Sequence, residues 1–261
     1  MAVLCITPIG LGQAGSSHYF GFDRNDYPGD KLLPALHRNF SYTGYWLNNP
    51  PTEHSNTWAG KRATVKANGF GFLILFNGRL DADLKGKDAA ALGRSDAAAA
   101  ISAAKKEGFP AGAIVFLDQE EGGRLLPEQS AYVFAWVEAI RSSQYRAGVY
   151  CSGIPVDEGS AKITTAGLIA AHDSRVVLWV VNDVSPPAPG CSVPAGGLSV
   201  GSSGIKNALV WQYVRSPRTQ FARGAAGYAA DGNCYAPGLQ HNAQTFLDLN
   251  VSTSADPSRG R

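Results

Sequence analysis

Residues 113–121 read Ala-Ile-Val-Phe-Leu-Asp-Gln-Glu-Glu, an unbroken apolar run that ends abruptly in acid. A run of this length, rich in β-branched and aromatic residues, suits a strand buried on both faces, as in a parallel sheet covered by helices. Side chains alternate along a strand, so Asp118 and Glu120 share a face while Glu121 points elsewhere. The following segment, Ser130–Ser142, places Tyr132, Val133, Trp136, Val137 and Ile140 on one helical stripe. The preceding one, Asp88–Glu107, is alanine-rich and free of proline, with a stop at Gly108 and Pro110.

Strand–helix alternation extends from this centre in both directions. Further strands are expected at His18–Asp23, Thr43–Leu47, Gly71–Phe76, Ala147–Tyr150, Val176–Val181, Ala208–Tyr213 and Tyr228–Asp231, with shorter helices at Ala166–Ala171 and Asn242–Leu249. Strands alternating with helices imply parallel strands joined by crossovers. Eight of them close most economically into a single-domain α/β fold, a (β/α)8 TIM barrel with an irregular second half; a doubly wound open sheet is the alternative. The barrel spans 18–250, preceded by a leader-like or linker segment at 1–17 and followed by a disordered tail at 251–261. Residues 183–206, rich in Pro, Gly and Ser, form a long loop.

Composition narrows the function. Of the 261 residues 44% are hydrophobic and 17% charged, enough apolar material for a large core and too little charge for a disordered chain. Lys and Arg number 23 against 21 Asp and Glu, without a basic run, so nucleic acid is not the expected partner. The longest apolar stretches fall well short of the roughly 20 residues that cross a bilayer, so no membrane span is expected, and the protein is read as a monomer. The five histidines show no H-x-x-x-H spacing and Cys5, Cys151, Cys191 and Cys234 form no C-x-x-C, so no metal is expected. Cys191 and Cys234, both in Gly/Pro-rich loops, either pair in an oxidising compartment or remain free; the sequence leaves both open. Gly10-Leu-Gly-Gln-Ala-Gly15 matches G-x-G-x-x-G, but a strand and a turn follow it where a dinucleotide site needs a helix. No cofactor is expected. The segment Met1–Ser17, apolar and then small, lacks a basic start, yet is compatible with export to the cell envelope or beyond.

In a barrel the functional groups gather at the C-terminal ends of the strands. There this sequence offers Asp23, Asp118 with Glu120, Asp183 and Asp231. Crowded, partly desolvated carboxyls hold one proton high and leave another group ionised, the pairing that glycoside hydrolysis requires. Tyr45, Trp46, Tyr150, Trp179, Trp211 and Tyr213 are the aromatics near the same end, candidates to stack on sugar rings, although strand aromatics also serve as core. Alternation sends half of them outward and separates Gln212 from Trp211 and Tyr213.

These landmarks, Gly21-Phe-Asp23, Phe116-Leu-Asp-Gln-Glu120, Ala147-Gly-Val-Tyr150, Leu178-Trp-Val180, Trp211-Gln-Tyr213 and Asp231 in this order, resemble a glycoside-hydrolase-like barrel family. That family was first catalogued as a domain of unknown function, is typified by a mycobacterial secreted protein, and is similar in turn to the lysozymes of glycoside hydrolase family 25. The resemblance runs from about residue 18 to 250. It implies a cleft lined by Asp23, Asp118, Glu120 and Asp231, with Glu120 as proton donor and Asp118 orienting an N-acetyl group or stabilising charge. The chain departs from the lysozymes at Tyr45-Trp-Leu-Asn48 and Phe76-Asn-Gly-Arg79, where they carry a K-A-T-E-like segment, and at Asp231-Gly-Asn-Cys234. The expectation is therefore a glycosidase of lysozyme-like type acting on a polysaccharide, such as peptidoglycan, with a non-catalytic carbohydrate-binding barrel as the alternative.

Overall fold

The computed structural model describes residues 18–184, 189–194 and 197–261; the leader or linker expected at 1–17 lies outside them. In chain order the elements are β1 (Tyr19–Asp23), α1 (Leu33–His37), β2 (Tyr42–Trp46), α2 (Arg62–Ala67), β3 (Gly71–Asn77), α3 (Asp81–Leu84), α4 (Ala89–Lys106), β4 (Ile114–Asp118), α5 (Pro127–Arg141), β5 (Arg146–Ser152), β6 (Val156–Glu158), β7 (Ala161–Ile163), α6 (Thr165–His172), β8 (Val177–Val181), β9 (Ala208–Val214) and β10 (Asp248–Ser252). Eight strands close into a barrel in the order β1-β10-β9-β8-β5-β4-β3-β2, and β6-β7 form a small separate hairpin. The fold is thus an α/β barrel of the (β/α)8 kind.

The local chemistry of the first half matches its elements. Asp88 caps α4, its Oδ1 accepting from the Ala91 amide at 2.9 Å, and α5 opens on Pro127, where a missing N–H costs nothing. Interior positions are packed by Tyr42, Leu73, Phe116 and Trp179, all fully buried. Glycine makes room for two of the interior groups: a Cβ on Gly148 would stand 2.5 Å from the Phe116 ring, and one on Gly44 would stand 2.6 Å from Asp23 Cβ.

Three expectations change in the last third. The predicted eighth strand at Tyr228–Asp231 is a loop, turned by the Gly232 amide donating to Ala229 O and the Ala229 amide to Asn233 O. The predicted helix at Asn242–Leu249 is absent; its end is instead β10, antiparallel to both β1 and β9. The barrel therefore has seven parallel strands and one reversed, and Asp248, the first residue of β10, pairs with Asp23, the last of β1. The physical reason is pattern: Leu247, Leu249 and Val251 alternate with Asp248, Asn250 and Ser252, a period of two that suits a strand with one polar face.

The disordered tail expected at 251–261 is also corrected. Val251 and Ser252 finish β10, and the residues beyond seal the barrel floor. Asp256 Oδ1 accepts from the Phe72 amide at 2.9 Å and from Gly260 at 3.1 Å, while its Oδ2 accepts from Arg261 at 3.0 Å. Ser258 Oγ accepts from the Ile74 amide at 2.9 Å, and Ser258 O from the Ile114 amide at 2.8 Å. The Phe72, Ile74 and Ile114 amides belong to β3 and β4, and buried donors without acceptors are costly. Asp256→Ala is expected to lower the free energy of unfolding by about 2 kcal/mol. Urea denaturation checks this, and a loss below about 0.5 kcal/mol would mean that the tail does not hold the floor.

Candidate active site

At the mouth of the barrel β1, β4, β5, β8, β9 and β10 contribute one inward side chain each near the same level. Asp23, Asp118, Tyr150, Trp179, Gln212 and Asp248 surround a hollow of about 80 Å3, with Glu120 and Arg215 on its lip and Trp46 on its wall. A larger groove of about 250 Å3 adjoins it past Asp26, Glu53 and Phe246, sharing Asp23, Glu120 and Asp248.

A chain of hydrogen bonds fixes Asp23. Trp179 Nε1 donates to Asn250 Oδ1 at 2.9 Å, and Asn250 Nδ2 donates to Asp23 Oδ1 at 2.6 Å. From the other side Tyr150 OH donates to Gln212 Oε1 at 2.6 Å, which turns the Gln212 amide nitrogen toward Asp23 Oδ1 and Oδ2 at 2.9 and 3.1 Å. Asp248 is held by the Ser216 amide at 2.6 Å. Arg215 is committed to the buried Asp183, at 2.9 and 3.2 Å.

Asp118 differs from these. Its side chain is buried, and among the described residues neither of its oxygens meets a hydrogen-bond donor. Burial pushes its carboxyl well above the usual carboxylate range, and the charges of Glu120 and Asp23 push it further. Glu120 is also raised by desolvation, with Arg215 and its contact with Asp118 pulling it back. The two carboxyls lie close enough that the charge of Glu120 acts on Asp118. Asp118 is the deep member, whereas Glu120 is open to solvent on the cleft side. Burial raises Asp23 to about 6 against its two hydrogen bonds, and Asp248 is raised by burial and by the Asp23 charge.

Of the acids expected from sequence, Asp23, Asp118 and Glu120 come together and Asp231 does not. Asp231 is exposed in the loop after β9, where it accepts from Tyr235 OH at 2.5 Å and from the Asn233 amide at 2.9 Å. Its place at the mouth is taken by Asp248, which sequence reasoning missed because it looked at the end of an assumed parallel strand, whereas a reversed strand presents its beginning. The alternation of residues 247–251 was the available signal.

The aromatics divide likewise. Trp46 and Trp179 line the hollow. Tyr45 faces the helices, packed on Trp58, Phe72 and Phe109, with its OH on Glu107. Trp211 donates to Asn182 O and Tyr213 to Ser192 O, both away from the hollow. Gln212 is the inward residue of that strand, so the expected stacking role for Trp211 or Tyr213 gives way to a positioning role for their neighbour. Cys191 and Cys234 form a disulfide, and Cys151 is a buried free thiol. Among the described residues no group of His, Cys, Asp and Glu is arranged to hold a metal ion, and no helix is long and apolar enough to cross a membrane.

The barrel and its acid-lined mouth define a glycoside-hydrolase-like protein. The chain belongs to the Rv2525c-like, glycoside hydrolase-like domain family, which it matches over residues 39–185. Among solved structures, an uncharacterized protein of B. stearothermophilus is similar at 18% identity and TM-score 0.60, over 90% of this chain and 95% of that one. The Tat-secreted protein Rv2525c of Mycobacterium tuberculosis, solved with HEPES, is similar at 12% identity and TM-score 0.55, over 94% of this chain and 98% of that one. A family GH25 lysozyme from Aspergillus fumigatus, at 12% identity and TM-score 0.49 over 90% and 94% of the two chains, superposes too loosely to equate residues. No curated protein matches the chain.

The raised carboxyls set a pH dependence. Asp23 releases its proton near 3.8 when free and at about 6 when folded, so between these values the native state holds more protons than the unfolded one. Stability present at low pH is lost as pH rises through that window, and Asp118 and Asp248 act in the same direction. Asp118→Asn, which removes a buried carboxyl whose ionisation is costly and which has no donor to lose, is expected to raise the melting temperature at neutral pH by about 2–4 °C and to flatten its decline with pH. Thermal scans from about pH 4 to about pH 8 check both; a lower midpoint in the variant would show that Asp118 is held by its charge.

Proposed function

We infer that the protein is a glycoside hydrolase acting on a polysaccharide, with a bacterial wall glycan as the favoured substrate, through carboxyl acid–base chemistry at the barrel mouth. The observation that carries this reading is the Asp118/Glu120 pair, a buried carboxyl without a donor beside one that reaches solvent. Such a pair holds its proton above the usual carboxylate range and presents it from the accessible member, which is what protonation of a glycosidic oxygen needs. Glu120 is accordingly the proton donor and Asp118 its reservoir and later counter-charge. Asp23 and Asp248, fixed by Gln212, Asn250 and the Ser216 amide, stabilise positive charge that develops on the sugar. Asp231, which the sequence placed in this group, has no part in it. Trp46 and Trp179 supply apolar walls.

A location outside the cytoplasm accords with this reading. The Cys191–Cys234 disulfide suits an oxidising compartment, and the M. tuberculosis relative is described as Tat-secreted.

The second reading, a carbohydrate-binding barrel without turnover, is favoured by the small size of the deep hollow, about 80 Å3. Reducing-end release from peptidoglycan, chitin oligomers and α- and β-glucans separates the two. The parent protein is expected to release product, and Glu120→Gln to lose at least about 100-fold of that rate with its melting temperature within about 2 °C. Retention of glycan without product from either protein would establish the binding module instead.

A further inference from the structure

The cleft and the groove that continues it carry six carboxyl groups, those of Asp23, Asp26, Glu53, Asp118, Glu120 and Asp248. The chain as a whole is slightly basic, at +2, and its other acids commonly find cations: Asp30, Asp96, Asp157, Glu158, Asp173 and Asp183 all stand in salt bridges. Among the described residues not one of the six carboxyls in the cleft and groove does. The two arginines at hand are occupied elsewhere. Arg215 is bound to Asp183, and Arg24 donates to the carbonyls of Asp26, Ala243 and Phe246 and lies over the Phe246 ring at 4.9 Å.

An acidic cluster alone specifies no ligand, but here Asp118 adds an independent observation. It is 3% exposed, lines the hollow, and has two oxygens without a donor. A donor supplied by a bound molecule would satisfy it. Among the described residues no three acids form a group able to hold a metal ion. The acids are spread over both cavities, Asp118 lining only the hollow and Asp26 and Glu53 only the adjoining groove, so the complementary ligand is an extended chain with spaced positive charges rather than a point cation. A cleft lined by one sign of charge concentrates ligands of the other sign and rejects its own.

The geometry points to a glycan of amino sugars with free amines, a de-N-acetylated strand, as the substrate class this groove selects. The inference rests on the glycosidase reading and names the polymer that reading leaves open. The ammonium groups meet Glu53 and Asp26 in the outer groove and the hollow's acids further in, each supplying N–H donors and a positive charge to carboxyls that no cation among the described residues neutralises. A strand decorated with carboxylates meets repulsion at every one of these positions.

The test is calorimetric binding of a glucosamine oligomer and an N-acetylglucosamine oligomer of equal length to the full chain carrying Glu120→Gln. The glucosamine oligomer is expected to bind about tenfold more tightly, the scale of two or three partly exposed ion pairs. Adding Asp26→Asn and Glu53→Gln is expected to remove most of that preference, whereas Glu138→Gln, on the outside of α5, leaves it in place. Equal or tighter binding of the acetylated oligomer would overturn the amine preference and leave the glycosidase reading standing. Binding of neither, with no product from the parent protein on any glycan, would remove both. A lysine tripeptide that competes as well as the amino sugar would show a groove for cations in general and overturn the assignment to a glycan.

Discussion

One strand runs against the other seven, and the mouth of the barrel is built on it. β10 enters between β1 and β9 with its first residue at the level where its neighbours end. It thereby places Asp248 and Asn250 beside Asp23 and Gln212, and Asn250 is the link through which Trp179 holds Asp23. The same reversal carries the chain back to the barrel floor, where Asp256 and Ser258 receive amides of β3 and β4. A parallel eighth strand would have put its acids at the wrong end and left those amides without acceptors.

The mouth is an expensive arrangement. Four carboxyls share one hollow with a single arginine that is already bound to Asp183; burial raises all four, and the charges of their neighbours raise Asp23, Asp118 and Asp248 further. Strain of this kind persists where surrounding structure over-determines it, as it does at functional sites. Here the surroundings are the Tyr150–Gln212 and Trp179–Asn250 bonds on one side and the Ser216 amide on the other. Ser216 in turn has its hydroxyl between Leu247 O and the Cys234 amide. The disulfide at Cys234 therefore ties the loop before β9 to the segment that orients Asp248.

Much of this was legible in the residues. The apolar run ending in Asp118-Gln-Glu120 placed a carboxyl pair at a strand end, and seven of the eight strands lie within two residues of their expected bounds. What failed did so for identifiable reasons. Tyr228–Asp231 carries apolar residues and an acid in the right order, but Gly232 turns the chain there. Asp231 and Asp248 are equivalent to any reading that lacks strand direction, since each follows a short apolar segment.

Sequence by itself determined what depends on near neighbours: strand and helix periods, the alternation that puts Asp118 and Glu120 on one face, the absence of a basic run and of metal-ligand spacing. The tertiary structure alone decided what depends on groups far apart in the chain: the reversed strand, Asp248 in place of Asp231, Gln212 turned inward, and the burial of Asp118 beside Asp23. The physical reason is that a carboxyl's chemistry is set by its burial and by the charges and donors around it. At this mouth those come from residues up to 227 positions away, brought together only when the barrel closes.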